Sequence, residues 1–431
     1  QENGHTAVFA GGCVRDSIAK IDFNDIDIAT SAPSEVVQKI LKYSGFAIKE
    51  VGKTFGVVIA KKCNCEFEIA TFRKDIGCNG RHPEKVEHAT MEEDASRRDF
   101  TINAIFFDPI KNTYFDYENG ESDIKNKRLR FVGDIEKRIS EDYLRILRFV
   151  RFWAKGYIPS RENVEIADSM SINFPKFVAP ERISKELMEK ILNSDKVSEF
   201  FNCLQRMPNL FYTLFKEVVI LKSVEQNPEF HPEGNVYNHT MLVVHNLSKM
   251  NANPLLYLAG LFHDIGKTET TFIDENGNIK SPSHEKAGTA ITQEIMKKYR
   301  FSSFDVDYVS GLVSDHMKLH FPGMKKSSLR KLMAKPYFDD LLKLVKADIE
   351  SSNKDFSVYE EYMKKIEELE KTVTRELPKA FVTGDTLLSL GLNPGPDFKK
   401  ILEAAMDEQL EGKIKSEEEG ILFVRAFLPK L

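Results

Sequence analysis

Residues 25–30 read DIDIAT, and this short stretch decides the fold of the first part of the chain. In a strand, residues two apart face the same side, so Asp25 and Asp27 project together while Ile26 and Ile28 face the core. Two carboxylates this close repel each other unless a cation lies between them. Because Mg²⁺ prefers such oxygen ligands together with substrate phosphates, the stretch predicts a strand with a magnesium site. A solvated strand face is the alternative interpretation of this motif alone.

A glycine turn precedes this strand, in the motif GGCVRD at residues 11–16. Adjacent glycines let the backbone approach a ligand closely, and the start of the helix expected next favours an anion. Arg15 would add a charge-assisted contact to phosphate. The spacing is neither a dinucleotide fingerprint nor a P-loop, and a plain tight turn explains it equally well. FEIATFR, at residues 67–73, offers Glu68 on another predicted strand as a third acid.

The pattern along the chain changes from strand-like to helical near residue 134. Before that point, alternation predicts strands at residues 6–10, 25–30, 55–61, 65–72 and 103–107. After it, helical periodicity dominates, as in EDYLRILRFVRF at residues 141–152 and ERISKELMEKIL at residues 181–192. The sequence therefore predicts an α+β protein, with an α/β head followed by a long all-α part.

Five blocks of sequence occur in a fixed order across residues 11–151: GG-x-V-R-D, DIDIAT, EIATFR, RRDFTINA and E-D-x-x-R. Together they resemble the class II tRNA nucleotidyltransferases (the CCA-adding enzymes) and the bacterial poly(A) polymerases. The resemblance implies a head of the DNA polymerase beta nucleotidyltransferase superfamily, in which Asp25 and Asp27 bind Mg²⁺ and Gly12, Arg15 and Arg98 contact the nucleotide. We expect Glu68 to act with the two aspartates in catalysis and Asp99 to be a further nucleotide contact.

A second pattern lies in the helix predicted for residues 141–152, where Asp142, Arg145, Arg148 and Arg151 follow one another at intervals of three. This spacing predicts one charged stripe, and an ordinary solvated helix face would look similar. Cytosine and adenine both present an amino donor beside a ring-nitrogen acceptor, whereas guanine and uracil present a carbonyl beside an N–H. A carboxylate beside a guanidinium therefore complements the hydrogen-bonding edges of C and A, and leaves unpaired groups against G and U.

We accordingly expect Asp142 and Arg145 to select CTP and ATP without a nucleic-acid template, which resembles the base-reading role of the family's E-D-x-x-R block. Arg148 and Arg151 are expected to contact the triphosphate or the tRNA end. The polar segment at residues 73–87 resembles the family's flexible loop, whose presence goes with adding the terminal A after CC. An ordinary surface loop is the alternative.

The charge balance excludes a uniformly basic nucleic-acid coat protein, because 61 Lys and Arg residues stand against 66 Asp and Glu residues. Residues 121–155 are locally basic, with ten Lys or Arg against six Asp or Glu. This excess predicts a surface for RNA and triphosphate.

Histidine and aspartate recur in the second half of the chain, within YNHT, HDIGK and KADIE. Their mixed nitrogen and oxygen donors suit a divalent transition metal. The series resembles the HD phosphohydrolase superfamily, which implies a metal site formed by His239, His263, Asp264 and Asp348. His284 and His316 are expected to form a second metal site or to hold phosphate, and Lys267 is expected to donate to a leaving or transferred phosphate. Phosphohydrolase activity, with 2′,3′-cyclic phosphate RNA ends as a candidate substrate, follows as an expectation.

These patterns predict five segments: a nucleotidyltransferase head (1–118), a nucleotide-selecting neck (119–175), an RNA-binding helical body (176–230), an HD domain (231–355) and a helical tail (356–431). The predicted function is Mg²⁺-dependent addition of C, C and A to the 3′ end of the tRNA acceptor arm. An A-adding enzyme or a poly(A) polymerase remains open, as does a different class, an HD nucleotide or phosphoester hydrolase.

The location expected from the sequence is the cytoplasm. The five cysteines lack zinc-ligand spacing and are expected to be reduced, and no apolar run is long enough for a membrane span. We expect no signal peptide, because the apolar stretch at residues 6–9 is short and is soon followed by charged residues. The chain begins at Gln1, so we expect a few preceding residues to be missing. No pattern indicates an oligomeric state.

Overall fold

The computed structural model describes residues 1–23, 26–51, 56–63, 65–78, 80 and 83–428. These residues divide into two compact units. The first contains Gln1–Val219 and Met296–Phe301, and the second contains Ile220–Ile295 and Ser302–Leu431.

The strands of the first unit are β1 (Ala7–Ala10), β2 (Ile26–Thr30), β3 (Ala47–Val51), β4 (Val57–Lys62), β5 (Cys65–Thr71), β6 (Arg73–Cys78), β7 (Pro83–His88), β8 (Ile105–Asp108), β9 (Thr113–Asp116), β10 (Arg128–Leu129) and β11 (Ile158–Pro159). Seven of them form one sheet in the order β3-β4-β5-β2-β1-β8-β9. The pair β2–β5 is parallel, and the other pairs of this sheet are antiparallel. Side chains of β1 alternate as predicted, with Val8 and Ala10 buried.

The helices that precede residue 221 are α1 (Gly12–Ile18), α2 (Ser34–Tyr43), α3 (Met91–Ser96), α4 (Gly120–Lys125), α5 (Ile135–Glu141), α6 (Leu144–Ala154), α7 (Arg161–Met170), α8 (Phe174–Phe177), α9 (Pro180–Lys185), α10 (Val197–Leu204) and α11 (Pro208–Ile220). A π-helix, Glu186–Ile191, continues α9. Thr90 starts α3 with a capping box, since its side chain accepts from Glu93 N while the Glu93 side chain accepts from Thr90 N.

Aromatic packing joins the sheet region to α6. Phe100, Phe131, Phe149 and Phe152 are buried, and the ring of Phe100 lies 4.9 Å from that of Phe131 and 5.4 Å from that of Phe152. Burial of such large rings is a major favourable term in folding. This cluster therefore fixes α6 beside the segment that leads into β8.

The later elements are the helices α12 (Val236–Lys249), α13 (Pro254–Phe262), α14 (Lys267–Thr270), α15 (His284–Lys298), α16 (Ser303–Asp315), α17 (Lys326–Met333), α18 (Phe338–Glu350), α19 (Ser357–Glu370), α20 (Gly384–Ser389), α21 (Pro396–Leu410) and α22 (Glu417–Phe427), and the strands β12 (Phe272–Ile273) and β13 (Ile279–Lys280). Asn235 and Asn253 cap α12 and α13 through their side-chain oxygens. Among the described residues, we find no helix that is both long and apolar enough to cross a membrane.

The predicted α+β class is confirmed, with a sheet-containing head followed by helices. Two local predictions are wrong. Residues 141–152 do not form one helix, because α5 ends at Glu141 and α6 begins at Leu144. Residues 73–87 are not simply a loop, because β6 and β7 pair as an antiparallel hairpin. The five segment boundaries remain predictions.

Candidate functional site

The predicted glycine turn lies between β1 and α1. Gly11 has a φ of 72°, which a residue with a side chain adopts only with strain. A Cβ atom at Gly11 would lie 3.2 Å from Arg98 Nη1 and 3.8 Å from Asp27 Oδ2. The glycine therefore allows the start of α1, the acidic strand and Arg98 to meet in one place.

Asp27 and Glu68 are direct neighbours across the parallel strands β2 and β5. Residues in register on adjacent strands have their side chains on the same face of the sheet, so the two carboxylates share one face. Both residues are exposed. This arrangement fits a hard divalent cation such as Mg²⁺. Asp25, the other predicted ligand, lies outside the described residues.

A cavity of about 830 Å³ opens beside Asp27. Its lining includes ten Lys or Arg side chains and seven carboxylates. All eight predicted nucleotide contacts line it, namely Gly12, Arg15, Arg98, Asp99, Asp142, Arg145, Arg148 and Arg151. The structure thus brings together the residues that four separate sequence blocks predicted, whereas Glu68 is not part of the lining.

Most of the cavity's positive charge does not come from the basic window at residues 121–155. That window supplies Arg145, Arg148, Arg151 and Lys155, and the remaining cations are Arg15, Arg73, Arg97, Arg98, Arg182 and Lys190. The other basic residues of the window do not line the cavity. Folding therefore gathers the positive charge from distant parts of the chain.

Asn103 connects two of the arginines. Its side-chain oxygen accepts from Arg15 Nη1 at 2.7 Å, and its backbone oxygen accepts from Arg98 Nη1 at 3.0 Å. Arg98 is also bound to the buried Asp94, with Nη2 3.0 Å from Oδ2. RRDFTINA contains Asn103, but Asp94 was not predicted. Both guanidinium groups are consequently held in fixed positions at the glycine turn.

Asp99 is buried beside Arg148, whose Nη2 lies 2.8 Å from Asp99 Oδ2. Burial alone would raise the pKa of Asp99. Arg148, the hydrogen bond from Asn103 Nδ2, and Arg145 outweigh this effect, so the pKa is lowered. Asp99 therefore remains a carboxylate that positions Arg148 at the cavity.

Asp142 and Arg145 both line the cavity, but they do not lie on one helical stripe. Asp142 has an extended backbone between α5 and α6, with φ −154°. Its Oδ1 accepts from Leu144 N, and its two oxygens also accept from Arg182 on α9. These interactions stabilise the break that periodicity alone did not predict.

Arg145 is buried and held by three acceptors. Its Nη1 donates to Arg138 O at 2.7 Å and to Glu141 Oε2 at 2.8 Å, and its Nη2 donates to Arg97 O at 2.9 Å. Glu141 belongs to the E-D-x-x-R block but was given no role, and Arg182 was not predicted. Glu141 could have been found from its position four residues before Arg145, whereas no local signal pointed to Arg182.

The second unit contains the histidine–aspartate centre. Three of its imidazoles contact backbone oxygens through Nδ1: His263 with Gly260 O, His284 with Ser281 O and His316 with Val313 O, at 2.7–2.8 Å. His239 Nδ1 instead contacts Glu233 Oε1 at 2.7 Å. When Nδ1 carries the proton of a neutral ring, Nε2 is a lone-pair donor suited to a metal ion.

These rings and two aspartates form two adjacent groups of potential ligands. His239, His263 and Asp348 form one group, and Asp264, His284 and His316 form the other. The Nε2 atoms of His239 and His263 have no hydrogen bond of good geometry among the described residues. His284 Nε2 and His316 Nε2 lie only 3.2 Å apart. Facing lone pairs repel each other, so the donor set fits divalent transition metal ions.

Asp264 lies between the two groups. Its Oδ2 is 3.4 Å from His263 Nε2, and its Oδ1 is 3.2 Å from His284 Nε2. Lys267 Nζ lies 2.7 Å from Oδ2. Burial would raise the pKa of Asp264, but Lys267 and His263 outweigh it and hold the pKa well below its usual value. The carboxylate is therefore charged and available to both groups.

Gly266 allows the HD turn to touch the start of α15. A Cβ atom at Gly266 would lie 2.1 Å from His284 O and 2.4 Å from Gly288 N. Since both are backbone atoms, only glycine fits without a shift of the helix. The short distance between Asp264 and His284 depends on this contact.

Asp348 has partners that the sequence did not predict. Lys354 Nζ lies 3.0 Å from Oδ1 and 3.2 Å from Oδ2, and His320 Nε2 lies 2.9 Å from Oδ2. Burial would raise the pKa of Asp348, whereas Lys354 and His320 lower it, and the net shift is well below the usual value. Lys354 and His320 lie outside the HD motifs, which explains why motif spacing did not identify them.

The chain matches two domain families: the poly A polymerase head domain at residues 7–130 and the HD domain at residues 236–374. The mouse mitochondrial CCA tRNA nucleotidyltransferase 1 is 36% identical over 207 residues, which are 47% of this chain and 47% of the mouse protein. The match therefore spans about half the length of that relative. The multifunctional CCA protein of Shewanella frigidimarina is 32% identical over 72% of this chain and 73% of its own length.

The chain belongs to the CCA tRNA nucleotidyltransferase family. The resemblance drawn from the five sequence blocks is thereby confirmed, together with the nucleotidyltransferase head and the HD domain. The crystal structure of the Bacillus stearothermophilus CCA-adding enzyme in complex with CTP shares the fold, with a TM-score of 0.70 and 21% identity. That likeness covers 100% of this chain and 95% of the other.

Proposed function

We propose that the chain adds C, C and A to the 3′ end of tRNA from CTP and ATP, without a nucleic-acid template. The observation that carries this proposal is the hydrogen-bonding capacity left on Asp142 and Arg145 at the cavity. The names of the relatives support the same activity, and the head and HD matches agree with it.

The described contacts use most, but not all, of the capacity of these two side chains. A carboxylate has about four acceptor positions, and Asp142 uses three of them for Leu144 N and the two bonds from Arg182. Arg145 uses both Nη1 protons and one Nη2 proton. One acceptor therefore remains on Asp142 Oδ2, and at least one donor remains on Arg145.

An acceptor beside a donor complements the amino group and ring nitrogen of cytosine or adenine. Guanine and uracil would place a carbonyl against the carboxylate and an N–H against the guanidinium, leaving buried polar groups unsatisfied. Asp142 and Arg145 would therefore select CTP and ATP. Arg182 and Glu141 would hold the two side chains in position for this selection.

Asp25, Asp27 and Glu68 would hold Mg²⁺ at the head, although Asp25 lies outside the described residues. Bound Mg²⁺ supplies activation of the tRNA 3′-hydroxyl and neutralisation of triphosphate charge. Gly12 at the start of α1 would contact phosphate oxygens, and Arg15 and Arg98 would orient the triphosphate. Arg148 and Arg151 would bind the triphosphate or the tRNA end.

The direct test uses tRNAs that end before C, after C and after CC, each with Mg²⁺ and with CTP, ATP or both. We expect CTP to be used for the first two positions and ATP for the last. Addition of many A residues to every substrate would instead support a poly(A) polymerase, and use of only the tRNA ending in CC would support an A-adding enzyme. Incorporation of UTP or GTP at comparable rates would refute the roles of Asp142 and Arg145.

The HD centre favours a second function, a metal-dependent phosphohydrolase acting on substrates such as 2′,3′-cyclic phosphate RNA ends. The observation behind it is the inward orientation of four imidazole Nε2 atoms around Asp264 and Asp348. A divalent ion bound there supplies activation of water for attack on phosphorus. His239, His263, Asp264 and Asp348 would hold one ion, and His284, His316 and Asp264 a second.

Metal analysis and hydrolysis assays with Ni²⁺, Mn²⁺, Co²⁺ and Mg²⁺ test this function. We expect two ions per chain in the unchanged protein, one in H284A, and loss of hydrolysis in H263A with CCA addition retained. An absence of hydrolysis with all four metals would refute the phosphohydrolase proposal. CCA addition without hydrolysis would leave the first function standing, and hydrolysis alone would make the chain chiefly a hydrolase.

For the location, the cytoplasm remains our proposal. Fractionation of cells that produce the full-length protein tests it, and recovery in an organelle would contradict it. The names of the vertebrate relatives specify mitochondria for those proteins.

A further inference from the structure

Lys354 is the least buried of the charged residues at the histidine–aspartate centre. Its side chain is 23% exposed, compared with 2% for Asp348, 4% for Asp264 and 11% for Lys267. It follows α18, and its Nζ lies within hydrogen-bond distance of both Asp348 oxygens. The ammonium group therefore lies against the aspartate while part of the lysine side chain reaches solvent.

The carboxylate that Lys354 contacts is also a proposed metal ligand. Asp348 Oδ1 lies 3.0 Å from His239 Nε2 and 3.0 Å from Lys354 Nζ. A divalent ion bound beside His239 and His263 would share that oxygen with Lys354. Since two cations repel each other across a shared ligand, the ammonium group would then depend less on Asp348 and be available to another anion.

The charge of the centre changes sign when metal binds. Lys267 and Lys354 stand against Asp264, Asp348 and Glu233, which leaves one negative charge in excess. Imidazoles that act as ligands are neutral. One divalent ion changes this to one positive charge in excess, and a second ion increases the excess to three. A metal-loaded centre of this composition binds an anion, and phosphate esters carry the matching charge.

We propose that Lys354 is a substrate-binding residue of this centre, whose ammonium group contacts the non-bridging oxygens of a bound phosphate group. The inference rests on the proposed phosphohydrolase function and specifies a further contact for its substrate. In the metal-free structure, the same lysine balances the charge of Asp348. No covalent step involves Lys354, which remains protonated throughout.

The test uses the full chain loaded with Mn²⁺ and compares K354M, K354R and a control, K346M. Lys346 lies on α18, is 44% exposed and pairs only loosely with Glu350, at 3.8 Å. Calorimetry measures binding of Mn²⁺ and of inorganic phosphate, and kinetic assays use adenosine 2′,3′-cyclic phosphate. Mn²⁺ binding by each variant shows whether the histidine–aspartate centre remains folded, and CCA addition shows the same for the first unit.

We expect K354M to weaken phosphate binding and raise KM for the cyclic phosphate by about tenfold to hundredfold, the range for a lost charge-assisted hydrogen bond. The affinity of K354M for Mn²⁺ should stay the same or increase. The phosphate affinity of K354R should lie between those of K354M and the unchanged protein, and K346M should match the unchanged protein. Phosphate binding within about twofold of the unchanged protein in K354M would overturn the proposal.

Two other outcomes are also decisive. If K354M weakens Mn²⁺ binding as strongly as phosphate binding, Lys354 positions Asp348 and the proposal is wrong. If the unchanged protein hydrolyses no phosphate ester but binds phosphate through Lys354, the phosphohydrolase proposal fails while the phosphate contact stands. Failure of the metal-loaded, unchanged protein to bind phosphate would overturn the contact itself.

Discussion

Arg182 donates two parallel hydrogen bonds to Asp142, from Nη1 to Oδ1 at 3.0 Å and from Nη2 to Oδ2 at 2.8 Å. The two residues lie on different elements, because Asp142 follows α5 and Arg182 belongs to α9. A two-point contact of this kind fixes the plane of a carboxylate as well as its position. The direction of the remaining acceptor on Asp142 therefore depends on Arg182.

R182Q should reduce selection of the incoming base. Without the two-point contact, Asp142 can rotate, and we expect kcat/KM for CTP and ATP to fall by about tenfold to hundredfold. Discrimination against UTP should fall as well. Single-turnover assays with each nucleotide measure both effects. R161Q is a matched control, because Arg161 is 92% exposed and pairs with Glu165 on its own helix. Unchanged CTP and ATP kinetics in R182Q would contradict the role of Arg182.

E68Q tests whether Glu68 is the third acid. If Glu68 helps to hold Mg²⁺ with Asp27, the variant should lose at least about tenfold in addition rate and require more Mg²⁺ for half-maximal activity. E66Q is the control, since Glu66 is exposed, lies two residues before Glu68 on β5 and therefore faces the same side. Equal Mg²⁺ dependence in both variants would show that Glu68 belongs to the solvated face.

F100A should destabilise the first unit by about 3–5 kcal/mol, because truncating a buried Phe removes apolar contacts and leaves a cavity. F100L should cost less, because leucine fills part of the space that the ring leaves. Trp153 is the sole tryptophan of the sequence and lies in α6, so its fluorescence during urea unfolding reports on this unit. A loss below about 1 kcal/mol in F100A would mean that the aromatic cluster repacks.

The pH dependence of stability should include a contribution from Asp99. Its folded pKa is lowered despite burial, because Arg148, Asn103 and Arg145 favour the carboxylate. The stabilisation is present above the unfolded value of about 3.9 and is lost as pH falls through the lower folded pKa. D99N should therefore be less stable than the unchanged protein at pH 7, by about 1–3 kcal/mol. Urea unfolding at pH 7, 4 and 3 should show this difference shrinking; a constant difference would contradict it.

Much of the fold could be predicted because its signals are local. Alternation identified β1, β2, β4 and β5, and the motif order placed the head before the HD domain. The hairpin β6–β7 was missed, because its polar and charged residues resemble a surface loop. Asp27 and Glu68 were both predicted as acids of the site, but their direct pairing across β2 and β5 was not, since sequence spacing does not give the register of neighbouring strands.

In the site, too, local sequence signals were predictable and long-range contacts were not. Residues inside a motif, such as Arg98 or His263, could be identified from spacing, whereas their partners could not. Arg182 reaches Asp142 from another helix, and Lys354 and His320 reach Asp348 from segments with no motif. The break at Asp142 was missed for a related reason, because a periodic pattern continues through it while the side chain bonds to Leu144 N and Arg182.

Gly266 gives the HD centre an unusual dependence on one small residue. An added methyl group would meet two backbone atoms at the start of α15, so that helix and His284 would have to move away from Asp264. His239 and Asp348 come from other helices, α12 and α18, whereas His263 lies in the same turn as Gly266. One methyl group would thus act first on the second group of potential ligands, which contains Asp264 and His284.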